Sequence, residues 1–314
     1  MAVEADGQLV VLDLVFHSVV RVDPATGNRT TISDPAGSGS GPDLGIVTGI
    51  AVEADGHIVV ASRDGGGRVL RVDPVTGDRS IVSEAGKGSG PEIQGTLGIA
   101  VDSNGALLLV DCRPSLLRID PLTGNRTIVT SNDVGAGPKL CMPGSLAVEE
   151  DGKIVVVDQG LVALIRVDPE SGDRIVVSSL EVGDGIPFLE PRDVAVHQDG
   201  SLIVTASTTD ELGLLIRVDA ITGDRTAFSL GLCEARPEGA CTDERYQRFY
   251  ELVFEVAPLC PLGPLTPAGC ATCQEFIHRF SDDPPEVLEA FVEESIALFE
   301  ESLVTGMCPE YELP

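Results

Sequence analysis

The sequence predicts an all-β propeller of four-stranded blades, followed by a small α-helical, cysteine-rich extension. Three observations predict it. A nine-residue phrase, RVDPVTGDR in its second occurrence, is written five times: RVDPATGNR, RVDPVTGDR, RIDPLTGNR, RVDPESGDR and RVDAITGDR. Each occurrence closes a stretch of short β-branched and aliphatic runs cut by Gly, Asn, Asp and Pro, which are strand and turn signals. The period then stops near residue 230, where helix-forming residues and cysteines take over.

The first arginines of the phrase, Arg21, Arg71, Arg118, Arg166 and Arg217, lie 50, 47, 48 and 51 residues apart. A period in that range marks a repeat architecture. Residues 98–130, GIAVDSNGALLLVDCRPSLLRIDPLTGNRTIVT, show the unit. GIAV is a first strand, SNG a turn, ALLLVD a second strand, CRPS a turn, LLRID a third strand, PLTGN a turn and RTIVT a fourth. Four antiparallel strands repeated at this spacing build a propeller blade. Blades are expected over about 1–33, 49–83, 98–130, 145–179 and 193–229. The apolar first strands (GIAV, SLAV, DVAV) suit an innermost position covered on both faces.

The phrase itself spans the turn between the third and fourth strands. Asp73 is expected to accept turn amides, Pro74 to fix φ, and Gly77 to take the left-handed position. Arg79 is expected across the turn from Asp73, pairing with it at the rim. A feature required in every blade is architectural.

Within 1–229 the runs GIAVDSNGALLLVD, GIAVEADGHIVVAS and SLAVEEDGKIVVVD resemble the NHL-repeat family of propellers. Gluconolactonase-like and streptogramin-lyase-like propellers are similar at a greater distance. The resemblance implies the blade fold but no single activity, because that family includes binding modules, scaffolds and enzymes. Met1 stands in the register of Ile50, Ile99, Leu146 and Val194. Two arrangements are therefore open: a five-bladed ring, or an incomplete six-bladed ring with further blades and a secretion signal upstream.

Composition narrows the function classes. The chain has 314 residues and a net charge of −29. Such a surface repels phosphate backbones and anionic headgroups, so no nucleic-acid or membrane partner is expected. It attracts cations, calcium included, or serves solubility. MAVEADGQLV shows no basic or apolar leader region, whereas eight cysteines suit an oxidising, extracellular or periplasmic compartment.

Strand direction places the loops between second and third strands, and those joining blades, on one face, here called the loop face. Scaffold loops are where binding concentrates. The blade-joining loops share a Gly-x-Gly-Pro pattern that lacks the strand–loop–helix context of a phosphate site. Asp13, Asp111 and Asp158, each ending a second strand, are candidate metal ligands with Asp193, since hard cations take clustered oxygens; the alternative is that each caps its own turn. Thr48, Glu190, Arg192 and Asp193 are candidate ligand-binding residues at the channel mouth. In gluconolactonase-like enzymes metal-binding acids line this channel. His17, on the loop face, has no identifiable nucleophile partner, as a triad would require. Cys112 and Cys141 are expected to bridge adjacent loops.

From about 230 to 314 the chain carries 17 acidic and 4 basic residues and six cysteines, Cys233, Cys241, Cys260, Cys270, Cys273 and Cys308. Residues 283–306 read as an amphipathic helix capped by Asp283 and Gly306. Three disulfides would staple so small a core; a zinc or redox use of Cys270 and Cys273 is the alternative. The functional expectation is a binding or scaffold propeller that takes a protein or small-molecule partner on the loop face, with calcium assistance. The alternative is a metal-dependent hydrolase or lyase of gluconolactonase-like type, its site at the channel mouth.

Overall fold

A computed structural model describes residues 1–186, 190–207 and 213–230. The expected helices and the six cysteines beyond 230 lie outside the described residues. Five four-stranded antiparallel sheets follow one another, each a meander in sequence order. Blade 1 holds β1 (Ala2–Val3), β2 (Leu9–Asp13), β3 (Ser18–Val22) and β4 (Arg29–Ser33). Blade 2 holds β5 (Val47–Val52), β6 (Ile58–Ser62), β7 (Arg68–Val72) and β8 (Arg79–Ser83). Blade 3 holds β9 (Thr96–Val101), β10 (Leu107–Asp111), β11 (Ser115–Ile119) and β12 (Arg126–Ser131). Blade 4 holds β13 (Pro143–Val148), β14 (Ile154–Asp158), β15 (Ala163–Val167) and β16 (Arg174–Ser178). Blade 5 holds β17 (Pro191–Val196), β18 (Leu202–Ser207), β19 (Gly213–Val218) and β20 (Arg225–Leu230). The described residues form a β-propeller of the five four-stranded blades that the period predicts.

In blades 2 to 5 the innermost strand starts two residues earlier than the apolar pattern indicates. A register shift interrupts its pairing there, between Val47 and Gly49 in β5 and between Pro143 and Leu146 in β13. An extra residue of this kind bends the strand and re-aims its side chains. The polar residues at the head of the inner strands are thus turned at the channel mouth.

The core is the space between blades. Alternating residues of each sheet face opposite neighbours, so the middle strands β6, β10 and β14 are buried along their whole length. Val10 and Val19 of blade 1 meet Ile58, Val60 and Leu70 of blade 2. Val59, Ala61 and Val69 meet Leu107, Leu109 and Leu117. Leu108, Val110 and Leu116 meet Ile154, Val156 and Ile165. Val155, Val157 and Leu164 meet Leu202, Val204 and Ile216. Each fully buried aliphatic side chain contributes about 1.5–3 kcal/mol relative to exposure.

The repeated phrase locks these layers, in a way that corrects one expectation. Asp73 does accept the amides of Val75 and Thr76, both at 2.8 Å, and Gly77 has φ 74°. Arg79, however, does not pair with Asp73. It reaches back to blade 1, donating from Nη1 to Ser33 Oγ at 2.6 Å and from Nε to the Pro42 carbonyl at 2.7 Å. Arg126 repeats this on Ser83 Oγ and the Pro91 carbonyl, both at 2.6 Å. Arg174 grips Thr130 Oγ1 and the Pro138 carbonyl, and Arg225 grips Ser178 Oγ and the Ile186 carbonyl. The hydroxyl between them is used twice: Ser33 Oγ accepts from Arg79 and donates to the Gly77 carbonyl at 2.8 Å. A Cβ on Gly77 would lie 2.0 Å from the Ile32 carbonyl oxygen, so the turn glycine is required by the neighbouring blade as well as by its φ.

The first arginine of the phrase has a different partner. Arg21, Arg71 and Arg166 each bind a carboxylate at the end of their own blade's innermost strand: Glu4, Glu53 and Glu149, with Nε–Oε2 distances of 2.5 Å. The same guanidiniums donate to a carbonyl in the next blade's turn, at Pro74, Pro121 and Ala220. The hydrogen bond to its glutamate raises the pKa of each.

Two outcomes are expected from this arrangement. Arg126→Ala leaves a buried hydroxyl and carbonyls without their donor and lowers unfolding free energy by about 3 kcal/mol in urea titrations, whereas Arg29→Ala, at the exposed counterpart in blade 1, stays within about 0.5 kcal/mol. Acid weakens the fold through the turn aspartates. Asp73, Asp120, Asp168 and Asp219 are held below the ordinary carboxyl pKa, chiefly by the amide three residues on and then by the one two residues on. With the folded pKa depressed, their contribution is complete above the unfolded value of about 3.9 and is lost as pH falls through the folded value. The urea midpoint should therefore hold near neutrality and drop below about pH 4, with a smaller drop in Asp120→Asn.

Candidate functional site on the loop face

The loop face is assembled by backbone pairing between two loops of the same blade. The Arg63 amide donates to the Ile46 carbonyl at 2.9 Å, Cys112 to Gly95 at 2.8 Å and Gln159 to Met142 at 3.0 Å. The loop leading into a blade thus lies beside the loop between its second and third strands. The first half of each blade-joining loop is elsewhere. Ser40 donates its amide and its hydroxyl to Asp78 Oδ1, both at 2.7 Å, and Ser89 does the same to Asn125 Oδ1. The Gly-x-Gly-Pro segments therefore line the third turn of the next blade, and only the second halves of the joining loops reach the loop face.

The aspartates that end the second strands join loops to strands. Asp158 is fully buried; its Oδ1 accepts the Met142 and Leu161 amides at 3.0 Å and its Oδ2 accepts the Cys141 amide at 2.8 Å. Asp111 accepts the Gln94 and Arg113 amides, and Asp13 those of Val15 and Phe16. Each of the three belongs to its own blade's turn. Among the described residues, no three His, Cys, Asp or Glu side chains come together with the spacing of a metal centre.

At the channel mouth the four nominated residues divide between two junctions. Thr48 of blade 2 shares a hydroxyl–hydroxyl hydrogen bond of 2.8 Å with Thr96 of blade 3. Asp193 of blade 5 accepts from Ser145 of blade 4, and its Oδ1 also accepts the Val194 amide. Glu190 and Arg192 form an exposed ion pair at 2.7 Å within blade 5. The equivalent of Ser145 and Asp193 in blade 3 is Gly98, where a Cβ would lie 2.7 Å from the Gly144 carbonyl oxygen. Neighbouring inner strands approach too closely at Gly98 for a side chain, whereas blades 4 and 5 carry Ser145 and Asp193 at that position.

Cys112 and Cys141 are both free and exposed in this structure. Each packs over a glycine of its own blade, Cys112 on Gly95 and Cys141 on Gly160, in the slot between the two paired loops. Adjacent slots direct the sulfurs within their own blades.

His17 and Val162 occupy the same turn position in blades 1 and 4, both with φ 50°. The preceding Phe16 and Leu161 make the same hydrogen bond, amide to strand-end aspartate, at 3.0 Å. The left-handed backbone at His17 is thus a property of the turn. What the sequence reading missed is the residue triplet before it: Leu14, Val15 and Phe16 are 65%, 80% and 72% exposed. The run D-L-V-F-H-S is the available signal, an apolar triplet in a position where blades 2 and 3 carry Arg, Asp or Pro. Ile46 and Met142, in lead-in loops, are also more than half exposed. His17→Gly should raise stability by about 1 kcal/mol in urea titrations, because glycine accepts positive φ without strain, and leave any loop-face interaction intact.

No protein-family model and no curated protein matches the sequence. Solved structures do match in fold. A chain of the nidogen/laminin complex is similar at 21% identity over 73% of this chain and 77% of that one, with a TM-score of 0.56. A gluconolactonase from Xanthomonas campestris is similar at 19% identity over 72% and 73%, with a TM-score of 0.55. Virginiamycin B lyase from Staphylococcus aureus is similar at 16% identity over 75% and 70%, with a TM-score of 0.51. At these identities the likeness establishes the propeller and carries no activity across.

Proposed function

We propose that this chain is a binding propeller whose loop face recognises a protein partner through an apolar tip. The observation that carries the reading is the triplet Leu14–Val15–Phe16, three large apolar side chains held out on a short turn that Asp13 fixes from beneath. Apolar surface kept in water on a rigid support is the usual mark of an interaction site. Ile46 and Met142 extend apolar character to other blades of the same face. The net charge of −29 favours a partner with a basic rim and disfavours nucleic acid.

A second reading, a hydrolase or lyase acting at the channel mouth, rests on Ser145 and Asp193. That contact is where two blades contribute a hydroxyl and a carboxylate to one point. There the Asp193 carboxylate accepts directly from the Ser145 hydroxyl, a base on a weak nucleophile without the histidine of a triad between them.

The test compares affinity capture from extracts of the source organism by the unaltered protein, Phe16→Glu and Val75→Glu, the last on the opposite face. Binding energy concentrated on one apolar anchor predicts at least about a tenfold loss with Phe16→Glu and none with Val75→Glu. Equal capture by all three would sink the loop-face reading. Turnover of lactone or lyase substrates abolished by Asp193→Asn would instead favour the channel mouth.

A further inference from the structure

Five blades have five possible junctions if they close on themselves, yet the described residues form four inter-blade cores. None joins blade 5 to blade 1. The two faces that would make the fifth junction have the chemistry of the other four and are incompletely covered. On blade 1, Leu9, Val11, Val20 and Val22 are half-buried, whereas their counterparts Ile58, Val60, Leu70 and Val72 in blade 2 are fully buried. On blade 5, Ile203 and Leu215 are half-buried and Thr205 is exposed, whereas Val59, Val69 and Ala61 are fully buried. Phe228 is 50% exposed, against 4–6% for Val82, Val129 and Val177 at the same position.

The polar locks are open in the same places. Arg29 is exposed, although its counterparts Arg126, Arg174 and Arg225 are buried in the preceding blade's hydroxyl and carbonyls. Arg217 holds the position from which Arg21, Arg71 and Arg166 reach the next blade's turn. It lies instead 5.2 Å over the Phe228 ring and pairs through Nη1 with Asp199 of its own blade at 3.3 Å, while its buried Nε has no hydrogen-bond partner. Part of the cause is local: His197 stands where the other blades carry Glu4, Glu53, Asp102 and Glu149, so the usual carboxylate is missing.

We infer that the open side between blades 5 and 1 is a docking site for one further four-stranded blade of the same repeat chemistry, supplied in trans by a partner chain. Continuity with the four internal junctions argues for this occupant. A blade would offer alternating apolar faces to both sides, a turn carbonyl to Arg217, and a strand-end hydroxyl with a loop carbonyl to Arg29. A flat apolar ligand would satisfy the faces but give no acceptor to the buried Arg217 Nε. This surface is separate from the loop face, and the inference does not depend on the function proposed above.

The probe is a separate polypeptide copying residues 46–98, which brings β5 to β8 and the loop that follows them. Titrated calorimetrically into the full-length protein, it should bind one to one. Val11→Asp and Leu215→Asp should each weaken binding at least about tenfold while moving the urea midpoint far less than Val60→Asp or Val69→Asp, since among the described residues both faces are only partly covered. Arg29→Ala should weaken binding severalfold, and Val75→Asp should leave it unchanged. Three results would overturn the inference. The first is no saturable heat. The second is a loss of stability in Val11→Asp or Leu215→Asp of the size a buried charge causes, which would mean that the chain already covers these faces. The third is a dimer in sedimentation that the same substitutions disperse, which would make a second copy the occupant.

Discussion

A guanidinium at the head of the fourth strand in blades 2 to 5, gripping a hydroxyl at the end of the preceding blade's fourth strand, is the interaction on which the rest of this structure depends. Apolar faces supply most of the stabilisation, but they are non-directional and let packed sheets slide. Arg79, Arg126, Arg174 and Arg225 each combine a hydroxyl with carbonyls of the preceding blade. Those bonds have directions. They set how far each blade turns relative to the last. Burial lowers the pKa of Arg174 and Arg225, which is the electrostatic cost of placing a cation in this position, and the carbonyls around it offset that cost.

This lock decides which parts of the chain are free to carry function. The Gly-x-Gly half of every joining loop is committed to the neighbouring turn. The strand-end aspartates commit the bases of the remaining loops, as Asp158 does by taking three backbone amides at once. What remains unconstrained is the tips. The apolar triplet at Leu14–Phe16 is found where the architecture makes no demand on the side chain.

Much of the fold was legible because each blade repeats its own punctuation. Alternating apolar runs, an Asp that closes a turn on its own amides and a glycine at positive φ are local signals, and local signals survive in one dimension. The partner of Arg79 was not legible. The spacing placed Asp73 nearest in sequence, whereas strand twist carries the head of β8 across to Ser33, 46 residues away. The Arg71–Glu53 pair was hidden for the same reason: its members sit in different strands of one sheet. The exposed triplet could be seen as apolar in the sequence, yet nothing there distinguished an outward tip from another short strand.

By itself the sequence determined the repeat, the strand order within each blade, the turns, and a net charge of −29. These follow from chain stereochemistry and composition, which act over a few residues or over the whole chain. Tertiary structure alone decided which blade each arginine grips, where the joining loops lie, which polar groups meet at the channel mouth, and that blades 5 and 1 present faces with no core between them among the described residues. Those depend on the angle between successive sheets. No residue encodes that angle locally; it arises only when twisted sheets pack and their directional bonds are satisfied together.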